Sequence, residues 1–122
     1  MLNWDEVIKF WFEDHDQKDW YGSTDEFDQL LHEKFFDLHG QVCAGEASHW
    51  RKNPLGRVAE IIILDQFSRQ FFRGKAKAFA YDGMALVLAQ ELVATGDDKT
   101  LTIDQRSFAY MPYMHSESLK IH

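Results

Sequence analysis

The sequence predicts an all-α fold of antiparallel helix pairs. Three observations carry that expectation: apolar residues recur at helical spacing along most of the chain, cap residues stand before those runs, and no stretch alternates apolar and polar as a half-buried strand does. Successive pairs of this kind are compatible with a repeat-like superhelix, although no internal repeat is legible.

The first helix opens at Asn3, which with Glu6 forms a capping-box pattern, and continues through Trp4, Val7, Ile8 and Trp11 to about Glu13. Asp14 to Tyr21 is polar and reads as a loop pinned by Trp20 and Tyr21. Ser23 and Glu26 form a second capping box for a helix to about Gly45, buried through Phe27, Leu30, Leu31, Phe35, Leu38 and Val42. Gly40 weakens that helix by roughly 1 kcal/mol relative to Ala, marking a bend or an early end.

The third helix organises the rest. Asn53 caps it, Pro54 occupies the first helical position, and Gly74 stops it. Leu55, Val58 and Ile62 share one stripe while Ile61, Ile63 and Leu64 cover the other sides, the mark of a buried helix. Two turns later the stripe becomes Asp65, Gln66, Arg69 and Arg73, so a surface that begins as core ends in charge. A fourth helix is expected over Ala76 to Thr95, with Ala78, Tyr81, Ala85, Leu88, Ala89 and Leu92 on one face and Gly96 ending it. Asp104 to Tyr110 reads as a short fifth helix stopped by Pro112. Ser116 then reads as the N-cap of a sixth, with Glu117 in its first turn.

Length makes the 122 residues one domain. A net charge of -7, with no basic run longer than Arg51-Lys52, argues against a nucleic-acid partner. An acidic N-terminus and the lack of a long apolar run argue against a secretory signal and a membrane partner. Cys43 is the single cysteine, so a reducing compartment, the cytoplasm, is expected.

Several separated motifs carry a resemblance. Ile62-Ile63-Leu64-Asp65-Gln66-Phe67-Ser68-Arg69, Phe72-Arg73-Gly74 and Ala78-Phe79-Ala80-Tyr81-Asp82 lie at the centre, Phe10-Trp11-Phe12 and Phe27-Asp28 before them. Phe108-Ala109-Tyr110-Met111-Pro112-Tyr113-Met114-His115-Ser116-Glu117 follows. In these the sequence resembles a bacterial family known as domain of unknown function 924. The resemblance implies a tetratricopeptide-repeat-like superhelical bundle and no established activity. It also implies longer members that continue to a Phe-Gly-Arg-x-Pro-His-Arg-Asn motif, so residues 1–122 are expected to form one all-helical domain shortened at its C-terminal end.

The candidate site is a groove or buried polar network of Asp65, Gln66, Arg69, Arg73, Asp82, His115 and Glu117. Asp65 and Arg69 stand four apart with the acid first, the favourable order for a helical ion pair. One reading is architectural, because a buried guanidinium needs carboxylate partners. Another is recognition by a helical interaction module that presents the groove to a protein or peptide. A third is a hydrolase for a small anionic ligand, with His115 as acid/base and Arg69 or Arg73 holding the anion. Ser116 is accounted for as a helix start rather than as a nucleophile.

Asp28, His32, His39 and Glu46 fall along one helix flank, but His39 is about two turns from His32, too far to share an ion, so a solvated flank is expected. Cys43 reads as a packing residue. No metal and no cofactor is called for. The unfinished sixth helix leaves apolar surface through which the chain is expected to self-associate.

Overall fold

The computed structural model describes residues 2–22 and 24–121, with the side chains of 117–121 outside the description. All regular structure among the described residues is helical. The helices are α1 (Trp4–Ile8), α2 (Gln17–Tyr21), α3 (Asp25–Cys43), α4 (Pro54–Ile62), α5 (Ser68–Phe71), α6 (Asp82–Ala94) and α7 (Ile103–Ile121). Two π-helical segments extend this pattern: Lys9–Asp14 prolongs α1, and Ile63–Phe67 joins α4 to α5 in one continuous rod.

That rod is the centre of the molecule. Asn53 accepts from the Leu55 N–H at 2.9 Å and Pro54 starts the helix, as the sequence predicts. Val58, Ala59 and every residue from Glu60 to Leu64 are fully buried, so the apolar collar is covered on all sides. α1, α6 and α7 pack against α4, while α3 packs against α5 and the π segment. Trp11, Phe35, Phe67 and Phe108 fill the space between them, with Trp11 edge-on to Phe108 at 5.5 Å. Glu60 is the one acid in the collar. Arg51 meets both of its oxygens, at 3.0 and 2.9 Å, in a fork that holds the preceding 3-10 turn (Ser48–Lys52) to α4.

Four local expectations are corrected. The segment expected as a loop contains α2, because Asp16 accepts from the Lys18 N–H and closes a capping box with Asp19. Trp20 is its buried pin, donating from Nε1 to the Trp11 carbonyl at 2.9 Å, whereas Tyr21 is 65% exposed. α3 is capped by Thr24, whose hydroxyl accepts from the Phe27 N–H; Ser23, expected in that role, lies outside the described residues. The helix expected from Ala76 is a 3-10 turn (Ala76–Phe79), and α6 begins only at Asp82.

The fourth correction is the largest. Ile103–Ile121 is one helix with Pro112 inside it, so Ser116 sits in a helix interior rather than at a cap. Proline in that position forfeits one rung and costs about 3 kcal/mol relative to alanine. Packing of α7 against both α4 and α6 overrides that local preference.

Gly40 bends nothing. It lies inside α3, and a Cβ there would meet no atom within 4 Å, so Gly40→Ala is expected to stabilise the protein by about 0.5–1 kcal/mol. Gly56→Ala is expected to lose stability by about 1–3 kcal/mol, since its Cβ would overlap the Trp50 carbonyl, which backbone cannot yield. Opposite shifts of the two urea midpoints check the pair.

Candidate functional site

The charge that ends the apolar rod begins at Asp65, in the middle of the π segment and 1% exposed. A buried carboxylate must have its lone pairs met, and here each is. Oδ1 accepts from Arg69 Nη1 at 2.8 Å and from His115 Nδ1 at 2.7 Å, and Oδ2 accepts from Gln66 Nε2 at 3.0 Å. Arg69, one turn on, then forks onto Asp82 at the start of α6, with Nη1 to Oδ1 at 2.9 Å and Nη2 to Oδ2 at 3.0 Å. Its Nη1 also donates to the Asp65 carbonyl, and the guanidinium lies 5.2 Å from the Phe79 ring centre. One carboxylate thus ties the central rod to α7 directly and to α6 through arginine.

The tautomer of His115 follows. A carboxylate only accepts, so Nδ1 carries the proton in the neutral ring and Nε2 presents a lone pair. Among the described residues that Nε2 has no partner, and the side chain is 27% exposed. An imidazole aimed by a buried acid, with its second nitrogen left over, is the arrangement found in acid/base sites and in histidines that bind a metal.

Five of the seven residues named from sequence therefore meet: Asp65, Gln66, Arg69, Asp82 and His115. Arg73 stands apart, 61% exposed, with Asp28 at 3.4 Å and Gln70 at 2.6 Å. The Glu117 side chain lies outside the described residues. Ser116 lines a small cavity of about 160 Å³ with Asp82, Gly83, Leu86 and Pro112.

The flank of α3 is not uniformly solvated. Asp28 faces Arg73, His32 stacks on Phe36 at 4.3 Å and Glu46 is exposed, but His39 is only 3% exposed. Its Nε2 lies 2.8 Å from the hydroxyl of Ser68, itself fully buried, and Cys43 Sγ lies 3.6 to 3.7 Å from the ring nitrogens. Burial, and secondarily the Lys77 ammonium, lowers the His39 pKa to about 4. Sequence reasoning missed this pair because the partner on α5 is distant in the chain. Among the described residues no three His, Cys, Asp or Glu side chains are arranged to hold a metal ion, and no helix is long and apolar enough to cross a membrane.

Fold and site together define an all-helical protein whose central helix ends in a buried acid–arginine–histidine junction. The chain belongs to a family described as bacterial protein of unknown function DUF924, whose model matches residues 7–122. It is similar to the solved structure of a protein of unknown function, ATU0120, from Agrobacterium tumefaciens, with 30% identity and a TM-score of 0.86. That likeness covers 92% of this chain and 63% of the other, so this chain spans less than two thirds of its structural relative. No curated protein matches it.

Two predictions follow from the site's electrostatics. Arg69→Met takes the guanidinium from buried Asp65, leaving it His115 and Gln66, and is expected to destabilise by about 3–5 kcal/mol, while Asp82→Asn, at a carboxylate 17% exposed, costs less; chemical denaturation ranks them. For His39 the folded pKa lies below the unfolded 6.5, so the unfolded chain takes up its proton first as pH falls. Its contribution is full above about 6.5 and is lost towards about 4, by at most roughly 1.4 kcal/mol per pH unit. His39→Gln is expected to flatten that limb of the stability profile.

Proposed function

We propose that the protein is a helical binding module, its helices paired antiparallel as in a tetratricopeptide-repeat-like superhelix, that meets a peptide or protein partner at the Asp65–Arg69–Asp82–His115 junction. The observation that supports this reading is the Nε2 of His115, without a partner among the described residues and held in place through Nδ1 by a buried carboxylate. An acceptor fixed in direction at a partly open surface reads a hydrogen-bond donor on another molecule.

Charge narrows the partner. The junction holds two carboxylates and one guanidinium, and both Nη atoms of Arg69 are already bonded to acids. The junction's carboxylates outnumber its guanidinium, in a protein of net charge -7. A donor-bearing, neutral or basic peptide suits it better than the small anionic ligand that free arginines would have favoured. Nucleic acid and membrane are not partners in this reading. Exposed Met114, next to His115 in the chain, adds apolar contact area, for a partner chain or a second copy. In this reading the work is done in the cytoplasm, which a chain with a single cysteine suits.

The Asp65–His115 couple also favours a second reading, hydrolysis with His115 as general base. π turns such as the one carrying Asp65 often occur at functional sites. Ser116 is bonded to no described acid or base, so the nucleophile in this reading is water.

A peptide array graded in charge tests the first reading. Basic peptides are expected to be retained, and His115→Ala and Asp82→Asn to weaken them at least tenfold with helicity unchanged by circular dichroism. Equal retention of acidic peptides, or binding indifferent to both substitutions, would overturn it. Turnover of p-nitrophenyl acetate by the wild type that His115→Gln abolishes would instead establish the hydrolytic reading.

A further inference from the structure

A cavity of about 300 Å³ opens between α3 and the turn before α6. Its wall is His39, Gly40, Cys43, Ala44, Lys77 and Tyr81, none of them in the junction described above. This volume is at the lower end of the range for small-molecule pockets, roughly 300–1,000 Å³.

The chemistry of that wall is unusual for this chain. In a protein with 20 acidic residues against 13 basic ones, the cavity is lined by an ammonium and by no carboxylate. Lys77 rests its Nζ 4.7 Å from the Phe72 ring centre, a cation held by an aromatic face. The remaining polar groups are donors or neutral. Cys43 Sγ lies against the His39 ring, and burial raises the thiol pKa, keeping it protonated. His39 is itself locked on the buried Ser68 hydroxyl. Gly40 contributes no side chain, and the space where its Cβ would stand is open.

We propose that this cavity binds a small organic monocarboxylate, its charge met by Lys77 and its oxygens by the Tyr81 hydroxyl, with its apolar body lying over Gly40 and Ala44. One cation suits one negative charge. A phosphate dianion would need a second, and the buried imidazole cannot supply it, because taking up a proton there is opposed by burial and by Lys77. The thiol serves as a soft neutral wall and takes part in no covalent step.

Propionate and, separately, inorganic phosphate are titrated into the full chain and followed by amide shifts of residues 39–44 and 77–81. Propionate is expected to bind saturably. Lys77→Met is expected to weaken it at least tenfold, Gly40→Leu to abolish it by filling the cavity, and Lys99→Met, an exposed lysine elsewhere, to leave it unchanged. Lys77 is exposed, so its variant folds and decides the matter even if Gly40→Leu does not. No saturation with the wild type, equal binding by Lys77→Met, or tighter binding of phosphate would each overturn the proposal.

Discussion

A carboxylate sealed from water at the end of an apolar rod is the constraint from which the rest of the arrangement follows. Asp65 has no solvent to satisfy it, and an unpaired charge in that position would cost several kcal/mol. Its partners must come from the fold. Arg69 arrives from the next turn of the same rod, Gln66 from the adjacent residue, and His115 from fifty residues away. The last of these fixes where α7 lies. Arg69, left with bonding capacity, reaches Asp82 and fixes the start of α6. Apolar packing brings three helices together without specifying their rotation, and the directional bonds of this junction supply that specification.

Glu60 poses the same problem near the other end of the rod and solves it differently. It is fully buried, and Arg51 covers both oxygens from a short turn rather than from a helix. Arg51 leaves no atom of that carboxylate for anything else. The Asp65 cluster differs because one of its members, His115, has two nitrogens and, among the described residues, bonds through only one of them. That asymmetry is what distinguishes it from the closed Arg51–Glu60 fork.

Much of the frame was legible because it depends on local chemistry. The cap at Asn53, the apolar collar from Val58 to Leu64 and the acid–arginine spacing of Asp65 and Arg69 are written within a few residues of one another. What failed to show was what packing decides. Pro112 reads as a stop, yet contact on two sides carries α7 through it. Neither π segment has a sequence mark, since an extra residue in a turn leaves the run of apolar residues intact. Asp82 was visible as part of a motif, but its bond to Arg69 depends on where α6 begins, and the expected helix began six residues too early. His39 has the most instructive history. On a helical wheel it shares a flank with exposed residues, and only the approach of Ser68 on α5 makes it interior.

Asp65 and Ser68 lie three residues apart on one rod and bond to different helices, α7 through His115 and α3 through His39. Phe67, between them, is fully buried against Trp11 and Phe35. A side chain so enclosed cannot turn without displacing both rings, and a close-packed interior resists such displacement. Phe67 therefore holds the backbone from 65 to 68 in place between its two polar neighbours. Any rotation of the π segment that loosened His115 from Asp65 would also carry Ser68 relative to His39, behind the cavity that Lys77 and Tyr81 line. The two polar regions share no side chain, but they meet along the backbone twice, at Asp65 to Ser68 and at the adjacent Tyr81 and Asp82.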